Sequence, residues 1–124
     1  MPHPHISDQI TFLYTTDLDK TAHFYEDIME FPLKLDQGGC RIYRVSQSGY
    51  LGCCQRANAE PPGERVVIFT MVTPEVDAWY DHLKAQGAQI EHPPAINEEY
   101  GIYHFFLRDP NGYLLEVQRF LENW

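Results

Sequence analysis

Two rhythms of apolar and polar residues alternate along this chain, and each switch between them marks an element. Residues 10–15, ITFLYT, form a short apolar run rich in β-formers and predict a strand. Thr16 and Asp17 then offer helix-capping oxygens, and from Leu18 the apolar positions Leu18, Ala22, Tyr25, Ile28 and Met29 recur at spacings of three and four. That is one helix face, and Phe31-Pro32 ends it because proline cannot extend the hydrogen-bond ladder. Residues 33–36, 40–45 and 50–55 are short strand candidates, punctuated by Gln37-Gly38-Gly39 and Gln47-Ser48-Gly49.

The same order then recurs. Residues 56–64, RANAEPPGE, have the composition of a connector, and 65–72 predict a second strong strand. Thr73-Pro74-Glu75 reads as a helix start with proline in the first turn, Val76, Trp79, Tyr80 and Leu83 supply the apolar stripe, and Gly87 stops it. Residues 88–91 predict a short strand and 92–99 a proline-broken loop. The helix starts at Thr16 and Thr73 lie 57 positions apart, so β-α-β-β-β occurs twice, over about residues 9–56 and 65–120.

Residues 100–120, YGIYHFFLRDPNGYLLEVQRF, close the second repeat as a hairpin around Asp109-Pro110-Asn111-Gly112. Pro110 pre-sets φ, Asn111 tolerates the third turn position, Asp109 can accept from the turn backbone, and Gly112 supplies a positive φ. A type I turn closed by a left-handed glycine sets Asp109 opposite Tyr113, hence Phe106 opposite Glu116 and His104 opposite Gln118. His104, Phe106, Glu116 and Gln118 then share one face; Tyr103, Phe105, Leu107, Leu115 and Val117 share the other, an apolar face suited to core.

A chain of 124 residues suits one domain. Its formal charge of -9, with Lys and Arg scattered, argues against nucleic acid and anionic membrane surfaces. No apolar run is long enough to span a bilayer, and the polar start MPHPHISD lacks signal-peptide regions, so a cytoplasmic location is expected. Cys40, Cys53 and Cys54 lack zinc-ligand spacing, and an odd count suits free thiols in a reducing compartment.

Thr16-Asp17-Leu18-Asp19-Lys20-Thr21 with His23-Phe24-Tyr25, and Asp109-Pro110-Asn111-Gly112 with Leu115-Glu116-Val117, resemble the glyoxalase, bleomycin-resistance and extradiol-dioxygenase superfamily, also called vicinal oxygen chelate. The resemblance spans about residues 9–120. It implies an α+β fold in which two βαβββ units form a U-shaped, eight-stranded sheet around a cavity, in one domain over residues 1–124 that commonly forms homodimers. It also implies that Ile10, Phe12 and Tyr14, and Ile68, Thr70 and Val72, face inward beside His104, Phe106, Glu116 and Gln118.

Metal-dependent members draw ligands from the first, fourth, fifth and eighth strands. Here those positions fall on Ile10, the stretch 52–54 where Cys54 alone could ligate, Ile68 and Glu116. Isoleucine has no lone pair to give, so no cofactor is expected, and Glu116 is a ligand only if a divalent metal binds. A relocated set of His104, Glu116 and Cys54 is the remaining metal option.

Without a metal, a carboxylate on an apolar wall needs a partner, and His104 is the nearest titratable group. Glu116 and His104 are therefore the candidate catalytic pair for acid-base chemistry, with Phe12, Tyr14, Phe106 and Gln118 as candidate ligand contacts. Arg41 or Arg44 would supply a cation, and Glu98-Glu99-Tyr100 a lid. Three functions follow: a metal-independent protein that binds or transforms a small, partly apolar molecule; a divalent-metal lyase or dioxygenase resembling glyoxalase I; and a non-catalytic subunit with a vestigial cavity.

Overall fold

Each half of the chain folds as one mixed sheet carrying one helix, in a computed structural model that describes residues 3–62 and 67–122. The halves are compact units, Met1–Glu60 and Pro61–Trp124. In the first, β1 (Gln9–Thr15) leads to α1 (Leu18–Ala22), then β2 (Leu33–Asp36), β3 (Cys40–Arg44) and β4 (Gly49–Gln55). The strand order is β1-β4-β3-β2, with β1 and β4 parallel and the other pairs antiparallel. Asp17 caps α1 by accepting from the Lys20 backbone N–H at 3.1 Å, as its position before the apolar stripe predicts.

The helix does not run on as α to Met29. Residues His23–Ile28 widen into a π-helical segment, closed by a backbone bond from Met29 N–H to the Phe24 carbonyl. Phe24 and Tyr25 in this segment are both buried. Tyr25 stacks on Phe31 and Tyr43, which sets the helix against the back of the sheet.

The second unit repeats the plan with one addition. β5 (Ile68–Val72), α2 (Val76–Ala85), β6 (Gln89–Ile90), β8 (Ile102–Arg108) and β9 (Leu114–Phe120) order as β5-β9-β8-β6, with β5 parallel to β9. The expected loop at 92–99 contains a further strand, β7 (Ala95–Asn97), paired with β8, so the described residues hold nine strands rather than eight. The expected strand start at Arg65 lies outside the described residues. Pro74 precedes α2 instead of entering its first turn, and Glu75 is the cap position. The other end matches expectation: Gly87 takes φ +76°, and Gly87 and Ala88 N–H return to the Lys84 and Leu83 carbonyls.

The β8–β9 hairpin has the register its turn dictates. Gly112 sits at φ +94°, Asp109 N–H donates to the Tyr113 carbonyl, and Phe106 lies opposite Glu116 with His104 opposite Gln118. Phe105, Leu107, Leu115 and Val117 on the far face are fully buried. α2 covers that face through Tyr80 against Phe105 and through Asp77, which accepts from Tyr103 Oη.

Two cysteine expectations are corrected. β3 and β4 place Cys40 directly opposite Cys54, and the two form a disulfide, which leaves Cys53 outside the bridge, buried on the core face. The cysteines therefore give no support to a reducing compartment, and Cys54 is not available for a relocated metal set. Among the described residues, no helix is long and apolar enough to cross a membrane.

Candidate functional site

The parallel β5–β9 register puts Thr70 beside Glu116, while the antiparallel β8–β9 register puts His104 on the diagonal and Gln118 two positions along the same face. Three side chains thus reach one carboxylate. His104 Nδ1 lies 2.7 Å from Glu116 Oε2, and Thr70 Oγ1 donates to Oε1 at 3.0 Å. With its amide nitrogen turned toward the acid, Gln118 donates to both oxygens at 3.2 Å. Glu116 is 7 % exposed, and this donor set is what allows a charge to stay so buried, since an unpartnered carboxylate there would cost several kcal/mol.

The carboxylate has a second effect on the histidine. An ionised carboxylate only accepts, so Nδ1 carries the proton, and Nε2 of the neutral ring is left as an acceptor. Among the described residues, no hydrogen bond is made to that second nitrogen. The arrangement is a base held in one tautomer by a buried acid, the geometry that general acid-base chemistry needs.

His92, which the sequence left in a loop, joins this site. Its ring meets His104 at 5.5 Å and Phe106 at 5.7 Å between centroids, both edge to face, and His104 meets Phe106 at 5.0 Å. Nδ1 of His92 donates to the Pro93 carbonyl at 2.8 Å, so this ring too offers Nε2. The ladder continues past β6, with Glu91 N–H donating to the Phe106 carbonyl, and this carries His92 onto the wall. Thr70 was expected on this face, but not as the acid's partner.

Phe12 and Tyr14 lie in the first unit, on the β1–β4–β3 face turned away from α1, and are 49 % and 44 % exposed. Arg41 and Arg44 take opposite faces of β3, as expected from their spacing. Arg41 binds Glu26 beneath the helix at 2.6 Å, and that hydrogen bond holds its pKa above the ordinary value. Tyr43 donates to the same Glu26 oxygen at 2.8 Å, and burial, followed by this bond, pushes its phenol up. Arg44 stays on the open face, bonded to Tyr50 Oη at 3.0 Å. Of the lid candidates, Glu98 and Tyr100 line a cleft with Phe120 and Leu121 at the end of the second sheet.

The donor chemistry does not suit the divalent ion that the resemblance implies. The four hydrogen bonds described leave Glu116 no oxygen turned to an ion, and its β5 neighbour is Thr70, two residues beyond the expected Ile68. Ile10, at the first-strand position, offers only hydrocarbon. Among the described residues, no three His, Cys, Asp or Glu side chains come together as a metal-holding group.

Solved structures share the fold. A glyoxalase/bleomycin resistance protein/dioxygenase from Nocardioides superposes with TM-score 0.80 at 23 % identity, covering 100 % of this chain and 88 % of its own. TioX from Micromonospora sp. ML1 gives 0.76 at 20 %, covering 91 % and 98 %. A lactoylglutathione lyase from Agrobacterium tumefaciens gives 0.73 at 22 %, covering 96 % of each chain. At these identities the likeness speaks for the α+β fold of two βαβββ units and not for an activity. Among curated proteins, none matches this sequence. The family profile matches residues 4–117, nearly the whole chain, and the chain belongs to the Glyoxalase/Bleomycin resistance protein/Dioxygenase superfamily.

Proposed function

We propose that this protein binds, and through His104 transforms, a small and partly apolar molecule without a metal. The observation that carries the reading is the 2.7 Å bond between His104 Nδ1 and a Glu116 whose other acceptor positions are already used. In this reading His104 Nε2 meets the ligand and takes or returns a proton, Glu116 positions the ring and stabilises the imidazolium that forms, and Phe106 and His92 give a flat apolar wall. Gln118 acts on the carboxylate rather than on the ligand, while Phe12 and Tyr14 are half-exposed aromatic surface on the first unit's own open face. A homodimer in the cytoplasm remains part of the proposal. A divalent-metal lyase, the reading that the likeness to a lactoylglutathione lyase would favour, is less well supported, since among the described residues no three donor side chains come together.

The test is a melting curve of chelator-free protein with a panel of small aromatic compounds, run with and without EDTA, beside elemental analysis. Midpoints raised by several degrees by apolar ligands and indifferent to EDTA support the proposal, because a ligand of the native state stabilises it by mass action. Stoichiometric Zn, Ni, Fe or Mn with a chelator-sensitive midpoint overturns it. For any compound turned over, Glu116→Gln and His104→Gln should each remove turnover while leaving the fold intact.

A further inference from the structure

On the open face of the first sheet, Phe12 packs its ring edge against Gly52: a Cβ added at Gly52 would stand 2.4 Å from Cδ1 and Cε1. Glycine at this position is what lets the ring come so close to the strand backbone, and Phe12 stays half-exposed. One step along β1 on the same face is Tyr14, with the Arg56 guanidinium stacked over it at 4.3 Å and bonded to its hydroxyl at 3.3 Å. On the other side, Arg44 stacks over Tyr50 at 5.6 Å. The exposed platform is therefore Phe12 and the arginine-capped Tyr14, with Arg44 at its edge over a buried Tyr50.

The charge of these arginines is the informative part. The chain has 18 acidic side chains and 9 Lys or Arg, so a carboxylate is the commonest neighbour an arginine could find. Arg41 and Arg108 take one, at 2.6 Å each. Among the described residues neither Arg44 nor Arg56 has a carboxylate partner, and each spends one N–H on a tyrosine hydroxyl. A guanidinium that spends one N–H on a tyrosine hydroxyl has further donors left, and its planar fork matches a carboxylate in two parallel bonds.

We infer that this face binds a planar organic anion, an aromatic carboxylate whose ring system stacks on Phe12 and whose acid group is clamped by Arg56. Tyr14 holds the guanidinium in place and extends the stacking surface; Arg44 marks the far end and is not required for the clamp. The inference rests on the reading of Phe12 and Tyr14 as ligand contacts but not on the chemistry of His104, and it narrows the ligand from partly apolar to flat and anionic.

Isothermal titration of the full chain with 2-naphthoate, and with the neutral 2-naphthalenemethanol as its isostere, tests the assignment. The carboxylate is expected to bind about tenfold more tightly, the worth of a charge-assisted bond. Arg56→Gln should bring the two compounds level, Arg56→Lys should keep part of the preference, and Arg44→Gln should keep nearly all of it. Phe12→Leu should weaken both compounds alike. Equal affinities in the unaltered protein, no binding of either compound, or a preference that survives Arg56→Gln would each overturn it. Failure here is separable from failure at His104, because the coupling between His104 and Glu116 is measured with no ligand present.

Discussion

The pair of His104 and Glu116 can be weighed by a double-mutant cycle on stability. The side chains are each 10 % exposed, so solvent screening removes little of their interaction. A hydrogen bond to a charged group contributes roughly 1.5–3 kcal/mol net, and the expected coupling is therefore about 2 kcal/mol. His104→Leu leaves Glu116 a buried charge with only Thr70 and Gln118 as donors, so that single change should be the more costly. Glu116→Gln keeps the volume and an acceptor for Nδ1 but loses the charge. In the double variant the amide keeps Thr70 and Gln118, and the loss should fall short of the sum of the singles by about 2 kcal/mol. Urea unfolding with a slope of roughly 1–3 kcal/mol/M resolves that as a midpoint difference near 1 M. Losses that add to within about 0.5 kcal/mol would refute the reasoning and reduce the 2.7 Å contact to proximity without coupling.

Other consequences follow from the same structure. Gly112→Ala at φ +94° should lower stability by about 1–2 kcal/mol in denaturant melts, whereas a change near zero would mean the turn is not of the left-handed type. Ionising Tyr43 is opposed by burial and by the Glu26 carboxylate, so its pKa is higher folded than unfolded. The stability this gives is complete below the ordinary tyrosine value near 10 and falls as pH rises beyond it, and Tyr43→Phe should flatten that alkaline decline in melting curves. Cys40 and Cys54 should resist alkylation until reductant is added, and closing a 14-residue separation should contribute roughly 3 kcal/mol that the reduced protein lacks. Free reaction at both thiols in unreduced protein would contradict the bridge.

Local chemistry made part of this molecule readable and long-range pairing hid the rest. The tetrad Asp109-Pro110-Asn111-Gly112 suits a type I turn with a bulge, where a two-residue loop would have broken the grouping, and the turn adopted carries Phe106 to Glu116 and His104 to Gln118. The caps at Asp17 and Gly87 were readable for the same local reason. His92 was not, because two prolines follow it and its place depends on the antiparallel pairing of β6 with β8 across an aperiodic segment. Arg56 was missed because a connector residue shows no periodicity, and the Cys40–Cys54 bridge because it needs the β3–β4 register rather than cysteine spacing.

The central claim is that Glu116 is satisfied from within the protein and holds the His104 proton on Nδ1. Nitrogen-15 NMR of the imidazole rings reads this directly. A slowly exchanging proton coupled to His104 Nδ1, with Nε2 bare, lost in Glu116→Leu and unmoved by added Zn or Mn, is the predicted result. A proton on Nε2 with Nδ1 bare, or a His104 signal that shifts stoichiometrically with either ion, would contradict it.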